Sequence, residues 1–179
     1  MIVRKATLKD LKYIESLSKK ESKAIGFIPK VRYEAAILGK RIHEKTQPTC
    51  NDRIYVCSEN SDLVGFVLGS KGNAGGLAKI AQIAIQEDAR LITRGKALLN
   101  ALIEHRESKG IYSFHCGCAD DLESNLFWRA MGWKQVAQRH GMHYTNTSKE
   151  VSDRLVNIYH FESDNDPQLK LFKKERLCS

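Results

Sequence analysis

Cysteine is sparse and unpaired. The five residues, Cys50, Cys57, Cys116, Cys118 and Cys178, are odd in number and contain no Cys-x-x-Cys pair. That excludes a disulfide scaffold, and a reducing compartment is the simplest setting. There are three prolines and no repeat or low-complexity stretch, which removes collagen-like and long disordered readings. No apolar run approaches the roughly 20 residues that cross a bilayer. Met1-Ile2-Val3-Arg4-Lys5 has no apolar h-region, so no secretory signal is expected and the chain is expected in the cytoplasm, away from membrane. Acidic charge is also short: 21 Asp and Glu against 29 Lys and Arg leave a net charge of +8. A surface of that sign attracts anions such as nucleic acid or a phosphorylated ligand. No P-loop, His-Glu-x-x-His, Gly-x-Ser-x-Gly or Gly-x-Gly-x-x-Gly motif occurs.

What is there is one domain's worth of ordinary globular sequence, 179 residues with 42% hydrophobic and 28% charged. Ile2 to Ala6 alternates as a strand. Thr7-Leu8-Lys9-Asp10 starts a helix, with the Thr7 hydroxyl and the Asp10 carboxylate suited to its first turn. Leu8, Leu11, Ile14 and Leu17 then make one apolar stripe. Gly26-Phe27-Ile28-Pro29 breaks that helix, and a second covers Val31 to about Ile42, with Tyr33, Ala36, Ile37 and Arg41 on one side. Ile54–Cys57 and Leu63–Gly69 form a hairpin across Glu59-Asn60-Ser61-Asp62. Lys71 to Gly76 is a turn, and Lys79–Ile85 is a buried strand.

The longest helical stretch runs from Leu91 to Ser108, with a stripe of Leu91, Gly95, Leu98, Leu102 and His105. Ile111–Cys118 is a strand. Asp120-Asp121 caps a helix through Met131. Trp133–His140 is a strand, Gly141–Lys149 a polar connection and Arg154–Phe161 the last strand. Hairpins first and crossovers later predict a mixed α/β sheet with helices on both faces. Residues 1–161 form the expected domain. Residues 162–179 form a tail, in which Leu169–Leu177 reads as a short basic amphipathic helix at a frayed or packed terminus.

One segment carries chemistry. The apolar strand ending Ile83-Ala84-Ile85 runs into the turn Gln86–Arg90, which opens a helix with Gly95-Lys96-Ala97 near its start. A helix N-terminus offers unsatisfied amides and about half a positive charge. Small residues there let main chain approach a diphosphate. Arg90, Arg94 and Lys96 add charge, and Thr93 stands in the same turn. The alternative is a solvated basic helix start.

On these residues the chain resembles the GCN5-related N-acetyltransferase superfamily. There, an Arg/Gln-x-x-Gly-x-Gly/Ala loop after a strand holds the pyrophosphate of acetyl-coenzyme A. Arg90 stands at the family's distance from Ile85, and Gly95 and Ala97 form the Gly-x-Ala pair, although four residues rather than two separate Arg90 from Gly95. The hairpin with Leu63-Val64-Gly65-Phe66 is similar to the family's second and third strands. Ser124 to Trp133 resembles its closing motif. The resemblance implies a mostly antiparallel sheet of about seven strands, splayed between the fourth and fifth strands, where acetyl-coenzyme A is the co-substrate. It also implies direct acetyl transfer to a primary amine of a small molecule or peptide. Ile83, Ala84, Ile85, Arg90, Thr93, Arg94, Gly95, Lys96, Ala97, Asn125 and Phe127 would contact the co-substrate.

Glu87, His115 and Trp128 are the candidate catalytic residues. Glu87 follows the cofactor strand, where the alternative is a solvated loop carboxylate. His115 lies near the splay with a suitable pKa, yet it points away from Phe114 and Cys116. Trp128 stands where the family commonly has a Tyr acid. An indole N–H donates a hydrogen bond but delivers no proton, so packing against cofactor or core is its alternative role. Cys116 and Cys118 share a face and His115 takes the other, so they do not converge on a metal. Two other readings follow: a non-catalytic acyl-coenzyme A-binding regulator, motivated by Trp128, and a nucleic-acid binder, motivated by charge but lacking a recognition helix or interleaved aromatics. A homodimer through the final strand, by strand exchange or by edge pairing, is compatible with the pattern.

Overall fold

Hydrophobic alternation in Ile54-Tyr55-Val56-Cys57 sends Ile54 and Val56 to one side of a sheet and Tyr55 and Cys57 to the other, and each side has its own core. A computed structural model describes residues 1–39, 52–70, 76–144 and 149–167. Strand β1 is Ile2–Lys5, followed by a short 3-10 turn and helices α1 (Leu11–Lys20), α2 (Ser22–Ile25) and α3 (Lys30–Leu38). Strands β2 (Arg53–Glu59), β3 (Asp62–Ser70) and β4 (Leu77–Ile85) come next, then helix α4 (Ile92–Glu107). Strand β5 (Ser113–Ala119), helix α5 (Ser124–Ala130) and strands β6 (Lys134–Tyr144) and β7 (Lys149–Glu162) complete the order. The sheet has seven strands in the order β1-β2-β3-β4-β5-β7-β6. Every pair is antiparallel except β4 with β5.

Leu11, Ile14, Leu17, Tyr33 and Ala36 cover one face with Val56, Phe66 and Leu68. Leu98, Leu99 and Leu102 of α4 cover the other with Val67, Ile80 and Phe114. Gly69 lets α4 sit close, because a Cβ there would lie 2.4 Å from Leu102 Cδ2. The first helix is anchored at Asp10, which accepts from the Thr7 amide at 2.7 Å and from both terminal nitrogens of Arg4 at 2.8 Å. Arg4 holds the Asp10 carboxyl down at about 2, from an ordinary 3.8.

Several expectations need correction. Leu8 is 52% exposed and Leu91 is 58% exposed, so neither belongs to its stripe. Leu8 lies in the 3-10 turn, which is out of phase with α1, and Leu91 precedes the first residue of α4. The Asp120-Asp121 pair does not cap α5, which begins at Ser124. Asp121 is instead engaged with Arg154. The expected polar connection at 141–149 is strand at both of its described ends, since β6 runs to Tyr144 and β7 starts at Lys149, and 145–148 lie outside the described residues. Cross-strand pairing outweighs its polar composition. The last strand, β7, lies between β5 and β6, so a dimer paired through it has no free edge to use. Arg41, Ile42, Cys50, Lys71–Gly75, Cys178 and the predicted tail helix lie outside the described residues.

Candidate functional site

Strand β4 changes course at one residue. Leu68 and Gly69 are neighbours on β3, yet they face Gln82 and Ile80 on β4, so Ala81 is an extra residue in the ladder. A bulge bends its strand and disrupts pairing locally. On its other side, β4 pairs with β5 from Leu77–Ser113 to Ile80–Cys116 and no further. Beyond that level β4 stays with β3 to Ile85, and β5 stays with β7 to Ala119. The two half-sheets part, and residues 81–85 keep an edge without a strand partner. The bulge also flips the alternation. Ala78 and Ile80 face the α4 core, whereas Gln82 turns to the α1–α3 face and bonds Tyr33 at 2.7 Å and the Gly26 carbonyl at 2.9 Å.

The parting opens a cleft of about 700 Å³, a volume suited to a small-molecule ligand. Ile83, Ala84 and Ile85 form one wall and Cys116, Gly117 and Cys118 the other. The start of α4 contributes Leu91, Ile92 and Gly95, and α5 contributes Ser124, Phe127 and Trp128. Helix α2 lies against both β4 and β5 on the opposite side.

At the mouth, the amides of Arg94 and Gly95 turn back to the Leu91 carbonyl at 3.1 and 3.5 Å. The first residues of α4, Ile92 and Thr93, have no carbonyl one turn earlier to receive their amides, so the helix end is an anion-attracting terminus. A Cβ on Gly95 would lie 2.8 Å from the Phe127 ring, so this glycine lets α4 meet α5 where both line the cleft. Arg90 lines the cleft and its Nη2 donates to Glu21 Oε2 at 2.7 Å. Arg94 braces the turn instead: it donates to the Ala89 carbonyl at 2.5 Å and pairs with Glu59. Thr93, Lys96 and Ala97 lie in the first turns of α4 outside the cleft lining.

Asn125 is buried behind the wall. Its amide nitrogen donates to the Ala119 and Leu122 carbonyls, and its oxygen accepts from Asn157 and Tyr159, both at 3.0 Å. It fastens the turn after β5 to β7. Trp128 is 4% exposed, with ring centres 5.2 Å from Phe127 and 4.9 Å from Trp133. Its indole N–H is bonded to the Cys118 thiol, which also lies 3.2 Å from Ser124 Oγ. Burial pushes that thiol up, against the opposing pull of those two bonds.

Glu87 stands outside the cleft, exposed and 3.7 Å from Lys20. His115 also lies outside it, on the α1–α3 face, with its basicity lowered by burial and by Lys79 and His160. The carboxylates that do line the cleft are Glu21, Asp121 and Glu123. Glu21 is the sheltered one, its side chain 13% exposed. Nothing local in the sequence marks it. It ends a helix that the periodicity gives, and only tertiary folding brings it to Arg90, 69 positions away.

The sequence profile of the Acetyltransferase (GNAT) family matches residues 19–133. The chain belongs to the GNAT acetyltransferase family. No curated protein matches the sequence. Among solved structures, Arabidopsis thaliana NAA60 in complex with a bisubstrate analogue aligns with TM-score 0.71 at 12% identity, covering 91% of this chain and 98% of its own. The ribosomal-protein-alanine N-acetyltransferase of Brucella melitensis aligns with TM-score 0.70 at 12% identity, covering 90% and 99%. The putative acetyltransferase yncA of Salmonella typhimurium, solved with acetyl-CoA, aligns with TM-score 0.68 at 13% identity, covering 92% and 94%. At these identities the likeness is one of fold. The seven-stranded sheet with its parallel, splayed β4–β5 pair is the GNAT fold. Among the described residues no helix is long and apolar enough to cross a membrane, and no group of three or more His, Cys, Asp or Glu could hold a metal ion.

Proposed function

We propose that this chain is an acetyl-coenzyme A-dependent N-acetyltransferase that passes an acetyl group directly to a primary amine in the cytoplasm. The observation that carries the reading is the divergence of β4 from β5 beyond Ile80–Cys116, beside the start of α4. The residues present fit the co-substrate. Main-chain groups of 81–85 lack a strand partner on the β5 side and suit an extended pantetheine arm, taken up as an edge strand takes another strand. The α4 terminus and Arg90 suit a pyrophosphate.

When bound, acetyl-coenzyme A supplies an activated acyl group. The Ile83 amide polarises the carbonyl at which the amine adds. Glu21, the sheltered carboxylate of the lining, takes the amine proton directly or through water. Arg90 links the two sites: a pyrophosphate competes with Glu21 for the guanidinium, so occupancy of the phosphate site frees the carboxylate. Trp128 orders the aromatic wall, and its N–H is held by Cys118. An indole delivers no proton, so protonation of the leaving group falls to water. This is tolerable for a thiol of pKa about 8.5.

Calorimetry with acetyl-coenzyme A tests the reading. Arg90→Ala is expected to weaken binding about tenfold, the scale of one charge-assisted contact. Glu21→Gln is expected to tighten binding while lowering kcat. Absence of any affinity in the wild type would overturn the proposal. Trp128, in place of a phenol, favours a second reading as a non-catalytic acyl-coenzyme A-binding protein. Acceptor-dependent release of free thiol across a panel of amines rejects it.

A further inference from the structure

The sheet face on the α1–α3 side carries a row of basic side chains immediately beneath the cleft. Lys79 on β4 is in register with His115 on β5, and His115 with His160 on β7. His160 is in turn opposite Lys134 on β6. Four strands thus contribute one cross-sheet line of nitrogen bases. Arg139 on β6 is in register with Val156, whose side chain lies on this same face against Gly117. Arg32 of α3 and Arg139 both lie close enough to Lys79 to depress its basicity, after burial as the main cause. Arg32 is met by Asp52 at 2.9 Å. Among the described residues no ion pair holds Lys79, Arg139 or His160. Glu162, in register with Ser113, lies at the end of the row away from the cleft.

The row is within reach of an acceptor. Gln82 and Gly117 line the cleft, three residues beyond Lys79 and two beyond His115. At about 3.3 Å per residue, Lys79 and His115 stand roughly 7–10 Å along their strands from these cleft residues. An extended peptide whose amine enters the cleft on this side places its second and third residues there. Lys79 and Arg139, with no ion pair of their own among the described residues, repel each other, and an anionic partner relieves that repulsion.

We propose that the acceptor is an acidic peptide terminus: a primary amine followed within two or three residues by carboxylate side chains, received by Lys79, His115, His160 and Arg139. This specificity rests on the transferase reading above. Three peptides that share the first residue and carry Glu, Gln or Lys at positions two and three test it. Thiol release gives KM and kcat, and anisotropy on the coenzyme A-loaded protein gives affinity without turnover. The acidic peptide is expected to bind at least about tenfold more tightly than the basic one, with an advantage that shrinks as salt rises. Lys79→Glu with Arg139→Glu is expected to reverse the order through KM while leaving affinity for acetyl-coenzyme A unchanged. Equal binding of all three peptides, preference for the basic one, or tighter binding of free glutamate than of any peptide would overturn it. Loss of acetyl-coenzyme A binding would instead defeat the transferase reading, so the two failures are distinguishable.

Discussion

Strands β4 and β5 behave as two different structures along one length. From Leu77–Ser113 to Ile80–Cys116 they are a closed parallel pair, with Ala78, Ile80, Phe114 and Cys116 packed beneath α4. From Ala81 onward they part, and the same kinds of apolar residue, Ile83 and Ile85, line a cleft. Composition does not separate the two halves. The difference is one residue, Ala81, which adds length to β4 without adding a rung to the ladder. Binding capacity here comes from hydrogen bonds withheld at a fixed place rather than from a distinctive set of side chains.

The largest effect is expected at the aromatic wall that keeps the open half in shape. Trp128→Ala removes a buried ring between Phe127 and Trp133 and is expected to cost about 3–5 kcal/mol. Denaturant unfolding reads that loss directly. Trp128→Phe keeps most of the packing and loses only the bond to Cys118, so it is expected to cost well under half as much.

Next is the bulge. Deleting Ala81 keeps Ile80 on the α4 face and Gln82 on the opposite face, so the alternation of residues 82–85 survives and only the bend is lost. Acetyl-coenzyme A affinity is expected to fall about a hundredfold, roughly 2.7 kcal/mol, and the amides of 82–85 to gain protection in hydrogen exchange. Unchanged affinity would show that something other than this residue separates the strands.

The smallest effect belongs to a control far from the opening. Asp10 has its carboxyl lowered to about 2 by Arg4, so its charged form favours the folded state. That stability is present above the ordinary carboxyl range near 4 and is lost as pH falls through about 2. Asp10→Asn is expected to cost on the order of 1 kcal/mol at pH 7, moderated by the exposure of Arg4, and almost nothing at pH 2. Melting curves at the two pH values check it, and acetyl-coenzyme A affinity is expected to stay put.

Much of this was legible in order of residues. The hairpin at Asn60-Ser61, the strand before Arg90, the long helix and the closing aromatic segment are all read from period and turn chemistry. The candidate site was half legible. Ile83, Ala84, Ile85, Arg90, Gly95, Phe127 and Trp128 are in the cleft. Arg94 and Asn125 are polar residues spent on bracing, and a sequence does not tell a bracing arginine from a binding one. His115 and Glu87 have suitable chemistry but lie outside the cleft lining.

By itself the sequence determined the succession of strands and helices, the basic balance and the glycine at the head of α4, because these follow from local periodicity and backbone preference. Tertiary structure alone decided where the sheet opens, that Glu21 meets Arg90, and that Lys79, His115 and His160 fall into one row. Each of those depends on register between segments far apart in the chain. A shift of a single residue in a strand turns every later side chain to the opposite face, and no local pattern specifies that count.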